Sequence, residues 1–289
     1  MIWIVGSKGM LATELCERLD AAGLPWIGSD RDVDIRSYGD LEAFAAGKGI
    51  GWIVNCAAYT AVDKAESEPE LAAALNETGA GNLARLAEAL GARFIQISTD
   101  YVFRGDGSRP LTEDDPTDPV GVYASTKAAG ERAVLSACSR AYVVRTAWLY
   151  GRNGPNFIAT MLRLMAANDT VRVVADQRGT PTWARDLSAF LVDIIKSGID
   201  AYGVYHYTGG GETSWYGFAE AIRDEALAVG LLSRSCAVEA ITTAEYPTAA
   251  PRPAYSVLSK DKARRVLGAE PPPWRESLRR YLAEAVASR

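Results

Sequence analysis

Tyr123 and Lys127 stand four residues apart in Val122-Tyr123-Ala124-Ser125-Thr126-Lys127-Ala128-Ala129-Gly130-Glu131, the start of an apolar stretch that reads as a helix. Residues i and i+4 lie one above the other on a helix face, so a phenol and an ammonium there can meet the same small ligand. A phenol alone has a pKa near ~10; a cation beside it favours the phenolate and brings proton transfer closer to neutral pH. In a chain with 13 tyrosines the spacing is weak by itself. Its company raises it: a glycine-rich turn near the N-terminus and Ser98-Thr99-Asp100 at the end of an apolar run.

The turn is Gly6-Ser7-Lys8-Gly9-Met10-Leu11-Ala12, directly after the first apolar run. Gly6 permits a tight bend, Gly9 lets a pyrophosphate approach the backbone, and Ala12 is small enough for close helix–sheet contact. The helix that follows offers free amides and partial positive charge to that anion, so a dinucleotide is expected here. Asp30 ends the second run about twenty residues on, where a carboxylate accepts hydrogen bonds from an adenosine ribose. Arg31 beside it suits a 2′-phosphate instead, so NADH and NADPH both stay open. Asp34 and Ile35 can flank adenine, with helix capping the alternative for Asp34.

Asn55-Cys56-Ala57-Ala58-Tyr59-Thr60-Ala61-Val62-Asp63 follows the third run and Ser98-Thr99-Asp100 ends the fourth. Small residues at the C-terminal end of a parallel strand let a ligand lie against the backbone, where open α/β sheets place their sites. Thr99 can hydrogen-bond a carbonyl there, with Tyr123 and Lys127 completing the pocket; taken alone, Ser98 and Thr99 would read as turn or cap residues. Trp148 and Trp183 can stack on a base or sugar, or fill a core. The sole histidine, His206, sits between Tyr205 and Tyr207 and reads as structural, which argues against Ser–His–Asp hydrolysis. Glu66-Ser67-Glu68-Pro69-Glu70 reads as a helix start or solvated turn rather than a metal cluster.

These residues need a scaffold. Short apolar runs at Ile2–Val5, Trp26–Gly28, Trp52–Asn55, Arg93–Ser98 and Tyr142–Arg145 alternate with helical stretches at Met10–Ala22, Ser37–Ala46, Glu70–Leu90 and Tyr123–Ala137. That alternation predicts an α/β fold, a doubly wound parallel sheet flanked by helices. Residues 104–120, with Gly105, Gly107, Pro110, Pro116 and Pro119, read as a long surface loop. Beyond Gly151, helices are expected at Asn156–Ala167, Ala184–Ser197, Ser214–Val229, Ser259–Leu267 and Arg275–Ala287, with strands near Val171–Val174 and Val204–Tyr207. Residues 1–150 therefore read as mainly the nucleotide-binding part. Residues 151–289 read as mainly a smaller lobe, some of whose segments return to the first part.

Of 289 residues, 48% are hydrophobic and 23% charged, as in an ordinary soluble globular protein. A net charge of −5 gives no reason to expect nucleic acid or an anionic membrane as partner. No apolar stretch approaches the ~18–20 residues of a membrane helix. Met1-Ile2-Trp3-Ile4-Val5 runs straight into Gly6 without a basic leader, and Cys16, Cys56, Cys138 and Cys236 are scattered, so a cytoplasmic protein is expected.

Taken together, these residues resemble the extended short-chain dehydrogenase/reductase superfamily. Within it the chain is similar to the dTDP-4-dehydrorhamnose reductase family over nearly its whole length. The resemblance rests on the Asn55–Glu66 segment, on Ser98-Thr99-Asp100-Tyr101-Val102-Phe103 and on Arg145-Thr146-Ala147-Trp148-Leu149-Tyr150-Gly151. It continues in Asp176-Gln177-Arg178-Gly179-Thr180-Pro181-Thr182 and Tyr246-Pro247-Thr248-Ala249-Ala250-Pro251-Arg252-Pro253. It implies a Rossmann-type sheet with a C-terminal substrate-binding lobe, and reduction of the C4 ketone of a dTDP-4-keto-6-deoxy sugar, dTDP-4-dehydrorhamnose, by NADPH or NADH.

On that resemblance Tyr123 donates the proton, Lys127 binds the nicotinamide ribose and depresses the phenol's pKa, and Thr99 orients the carbonyl. Gly6, Gly9, Met10 and Leu11 fall at the phosphate turn, Asp30 at the ribose, and Asp34 and Ile35 at adenine. Ala57, Ala58, Tyr59 and Thr60 lie beside the nicotinamide. Asp100 and Trp148 map to sugar-nucleotide contacts, with Thr60, Val62, Tyr101, Asn156 and Arg252 behind them; a guanidinium at Arg252 suits a diphosphate. Some members dimerise through magnesium held by glutamates. Glu14 matches one ligand, but Arg185 stands where another is expected, and a guanidinium cannot ligate an ion that wants oxygen donors. No magnesium is therefore expected, and a monomer or weak homodimer is. A reductase of another dTDP-4-keto-6-deoxyhexose is the nearest alternative. A non-catalytic NADP-binding regulatory subunit like that of methionine adenosyltransferase is the more distant one. A dehydratase would carry Asp-Glu after the threonine, and here Asp100 is followed by Tyr101.

Overall fold

Ile2-Trp3-Ile4-Val5 has no polar side chain to turn toward water, and it forms β1 (Ile2–Val5), buried along its whole length. Such continuous burial suits a parallel strand covered on both faces. The computed structural model describes residues 1–287; Ser288 and Arg289, the end of the expected lobe, lie outside the described residues. β1 is joined by β2 (Trp26–Ser29), β3 (Trp52–Asn55), β4 (Arg93–Thr99), β5 (Ala141–Thr146) and β10 (Gly203–His206) in one sheet. The order is β2-β1-β3-β4-β5-β10, every neighbouring pair parallel. The order reverses between β1 and β3, so the crevice beyond their C-terminal ends is where such a sheet binds ligands.

Helices cover both faces. α1 (Met10–Ala21) buries Leu11, Leu15 and Leu19 against α8 (Ala184–Ser197) and the sheet. On the opposite face α2 (Tyr38–Ala45), α5 (Ala80–Leu90) and α6 (Val122–Ala137) enclose a second cluster around Trp3, Phe94 and Val143. α8, β10 and α10 (Asp261–Leu267) come from the second half of the sequence, yet they complete the first half's sheet and core. A third cluster gathers Met165, Phe218, Ile222 and Leu282 from α7 (Phe157–Ala167), α9 (Trp215–Ala228) and α11 (Trp274–Ala287), with Tyr150 beside them. Short pairs tie this part together: β6 (Leu149–Tyr150) with β9 (Thr182–Trp183), β8 (Arg178–Gly179) with β11 (Thr213–Ser214), and β7 (Thr170–Val174) with β12 (Ala237–Ile241).

The expected Glu70–Leu90 helix forms as α4 (Pro69–Ala73), a π-helical segment at Ala74–Gly79, and α5, with no gap between them. The π-helical segment passes close to α6: a Cβ on Gly130 would sit 2.0 Å from the Asn76 carbonyl oxygen. π-segments of this kind concentrate at functional sites. β12, the two-residue strands and α3 (Val62–Ala65) carry no periodic pattern of their own, and the sequence reading missed them. No described helix is long and apolar enough to cross a membrane.

Candidate active site

The glycine turn closes against β3. Gly6 has φ +75°, and a Cβ on it would lie 2.8 Å from the Ala57 amide nitrogen. Only glycine satisfies both the left-handed backbone and that approach. α1 then starts at Gly9 with no side-chain cap and no acidic residue in its first turn, so its leading amides are free for an anion. Ala12 is fully buried, which explains why a small residue stands there. Asp30 accepts hydrogen bonds from the backbone N–H of Lys8 (3.2 Å) and of Arg31 (2.9 Å), which places its carboxylate beside the turn. An uncapped helix start next to a carboxylate fits the pyrophosphate and ribose of a dinucleotide. Gly6→Ala is expected to lower stability by roughly 1–3 kcal/mol and to weaken dinucleotide binding; a urea melt and a fluorescence titration matching the wild type would contradict that strain.

The two expected adenine neighbours lie just beyond β2. Asp34 is ion-paired with Arg36 at 2.7 Å, and the cap of α2 comes from Ser37 instead. Ile35 is buried in the core against Gly79.

α6 brings the phenol and ammonium to the same edge. Its N-cap, Gly121, has φ +88° and no side chain to cap with. Glu66, from a distant turn, accepts the Val122 N–H at 2.8 Å and supplies the missing cap. The acidic run at Glu66–Glu70 is thus partly a helix cap, a role that no local signal marks. Lys127 is buried, its Nζ donating to the Ile97 carbonyl at 2.7 Å and lying near Cys56 at the end of β3. Burial pushes its ammonium down to about 8, while Glu131 pulls it back up.

Tyr123 packs edge-on against Tyr101, ring centroids 5.6 Å apart, with Thr99 near it at the end of β4. Burial raises its phenol to about 12, Thr99 opposing and Asp100 adding to the rise. The phenol is therefore not depressed by Lys127 in this state. The ammonium is turned to Ile97, and burial outweighs it.

Asn76 was not singled out from sequence, being one polar residue in an alanine-rich helix. Its side chain accepts the Tyr59 N–H (2.8 Å) and donates to the Tyr59 carbonyl (3.1 Å) and the Thr126 hydroxyl (3.1 Å). The π-segment that carries it thereby fixes the Ala58–Tyr59 loop against the turn of α6 just before Lys127. The Tyr59 hydroxyl donates to Glu68 at 2.6 Å. Beneath the pair, Arg145 makes a buried two-pronged ion pair with Glu131 (2.7 and 2.9 Å), and Ser98 donates to the same carboxylate. His206 is fully buried next to Arg145, and burial and that guanidinium hold its imidazole down to about 3. It is structural, as its surroundings in sequence suggested.

On the substrate side, Arg252 pairs with Asp63 at 2.7 Å and lies over the Tyr101 ring. Arg252 and Tyr101, with Pro251 and Pro253, border a cavity of about 60 Å³. Thr60 is exposed, and Val62 opens α3 beside it. Trp148, which alone among the described non-glycine residues has a positive φ (+47°), stacks on Trp215 with centroids 3.6 Å apart. Gly179 leaves it room, since a Cβ there would come within 2.6 Å of the indole. Trp183 is buried against Tyr281 and fills the core. Asn156 caps α7, accepting the Ala159 N–H at 3.0 Å and donating to the Gly151 carbonyl at 2.8 Å.

A family model described as the RmlD substrate binding domain matches residues 1–287. The chain belongs to this family. It is 45% identical over 285 residues to the dTDP-4-dehydrorhamnose reductase of Streptomyces griseus, covering 96% of this chain and 91% of that one. A solved dTDP-4-dehydrorhamnose reductase from Clostridium acetobutylicum superposes with a TM-score of 0.93 at 39% identity, covering 99% of both chains. That of Bacillus anthracis, solved in complex with NADP, gives 0.92 at 35% identity and 98% of both.

In this member of the RmlD family, Glu14 is 1% exposed and its carboxylate is taken up inside the chain by Arg152 (2.9 Å) and Arg185 (3.1 Å). Arg185 also pairs with Glu284. Positive charge thus reaches Glu14 from two guanidinium groups. Among the described residues no group of three or more metal-ligating side chains forms.

Proposed function

We propose that this chain reduces the C4 ketone of dTDP-4-dehydro-6-deoxy-L-mannose to dTDP-L-rhamnose, using NADPH or NADH. The observation that carries the reading is the placement of Tyr123 and Lys127 on α6 and of Thr99 at the end of β4, on the sheet edge beside the uncapped start of α1. When bound, the nicotinamide supplies hydride to C4. Tyr123 gives its proton to the ketone oxygen, Thr99 orients that oxygen, and Lys127 holds the nicotinamide ribose and offsets the charge left on the phenol. Gly6, Gly9, Met10 and Leu11 hold the pyrophosphate and Asp30 the ribose, while Ala57, Ala58 and Tyr59 line the nicotinamide.

Residues 1–150 serve mainly the dinucleotide and residues 151–289 mainly the sugar nucleotide, with Asp100 and Trp148 as its principal contacts and Arg252 behind them. With Glu14 held by arginines of its own chain, the protein works as a monomer or weak homodimer, in the cytoplasm. Incubation with NADPH and the dTDP-4-keto sugar should lower NADPH absorbance and give the rhamnosyl product by NMR. Tight NADPH binding with no consumption would overturn the reading in favour of a regulatory binder.

Lys127 gives a pH prediction. Its ammonium is the form that neutralises a phenolate, and burial holds it at about 8. Turnover should therefore be sustained below that pH and fall as pH rises through it. Lys127→Arg, whose guanidinium stays charged, should move that limb to higher pH; a pH–rate profile with the wild-type limb in the variant would exclude Lys127 as its source.

A further inference from the structure

A cavity of about 290 Å³ opens between the 104–120 loop and the segment that leads into α10. The Leu111 N–H donates to the Val257 carbonyl at 2.8 Å, and the Ser259 N–H to the Leu111 carbonyl at 2.7 Å, which stitches the loop to that segment. Pro110, Val257 and Leu258 form the apolar part of the wall; Glu212, Lys260, Asp261 and Arg264 bring the charges. None of these residues is among those assigned to the dinucleotide or the sugar nucleotide.

The carboxylates at this wall are satisfied at both oxygens. Glu212 accepts from Arg178 on Oε1 and from the Tyr255 hydroxyl, at 3.0 Å, on Oε2. Asp261 accepts from Arg264, at 3.3 Å, on Oδ1 and from the Ser259 hydroxyl, at 2.9 Å, on Oδ2. Arg264 is shared between Asp261 and Glu270. Lys260 is different. It is 7% exposed, yet its ammonium makes no hydrogen bond or ion pair among the described residues. An ammonium carries three donors and no acceptor, so this wall holds idle donors and one uncompensated positive charge.

We infer that this cavity is a binding site for a small oxyanion, a carboxylate or a phosphate, held by the Lys260 ammonium. A buried charge without a partner is costly, and an anion seated on it offsets that cost. The volume is near the lower end for small-molecule sites, ~300 Å³, which suits an oxyanion with a short apolar stem along Pro110 and Val257. The field at Lys260 agrees: burial and then Arg264 push its ammonium down to about 8, with Asp261 and Glu212 opposing.

The full chain carrying 13C-labelled lysine tests this at the ε-carbon, whose signal follows the charge and contacts of each ammonium. The Lys260 signal is identified by its absence in Lys260→Met or, should that variant not fold, in Lys260→Arg. Sodium phosphate and, separately, sodium acetate are titrated against sodium chloride at equal ionic strength. At least one oxyanion should move the Lys260 signal to saturation where chloride does not, and the effective one gives the ligand's class. At saturation the pH of its inflection should rise by about one unit, a tenfold preference for the charged amine. Lys8, beside the glycine turn, is read separately, so phosphate at the dinucleotide site does not enter the result. Lys260→Met should bind NADPH as the wild type does. A Lys260 signal that neither oxyanion moves, or that chloride moves equally, would overturn the inference.

Discussion

Tyr123→Phe should cut turnover by about 10²–10⁴-fold, the usual contribution of a positioned proton donor, and leave NADPH affinity unchanged. A phenol raised to about 12 carries its proton throughout the working pH range, which is the state a donor needs. The same shift means that the phenolate left behind is costly, so the groups that stabilise it decide the rate. Lys127 is one step along the helix face, and its ammonium must turn from the Ile97 carbonyl to help. Loss in kcat with KM for the coenzyme preserved is the signature of an interaction made in the transition state. A variant with wild-type kcat would remove Tyr123 from the chemistry and, with it, the reason for its place beside Thr99.

Arg145→Met should destabilise the protein by roughly 3–5 kcal/mol, because Glu131 would remain buried without its cation. Both side chains are 5% exposed or less, and the pair lies between β5 and α6, directly under the catalytic edge. Ser98 alone would be left to satisfy the carboxylate. The double variant Glu131→Leu with Arg145→Met should recover most of the loss, since it removes both charges. Urea unfolding of the two variants checks this. A single-variant loss under about 1 kcal/mol would rank the pair with exposed surface ion pairs. The consequence reaches Lys127, since Glu131 is the group that draws its ammonium back upward; a neutral residue at 131 should move the limb of the pH–rate profile to lower pH.

Features that depend on nearest neighbours were legible. Strand β1, the bend at Gly6, the start of α1 and the Tyr123–Lys127 spacing follow from side-chain periodicity and from the φ that glycine tolerates. So did the order of alternation that makes a parallel sheet, with β3 found to the residue and β4 and β5 each extended by one or two. β12 was not, because Ala237–Ile241 is largely exposed and pairs with β7 from far along the chain, so it carries no burial alternation.

Sequence by itself thus fixed which chemical groups the chain owns and which of them share a helix face or a strand end. It could not say that Glu66 caps the helix of Tyr123 from 56 residues away, or that Arg252 reaches Asp63 across 189. Nor could it say that Asp100 is shut away from water while Thr60 is open. Backbone geometry links residues only a few positions apart. Burial, and with it the shifts of Tyr123, Lys127 and Asp100, arises when distant segments close over one another, which only the tertiary structure decides.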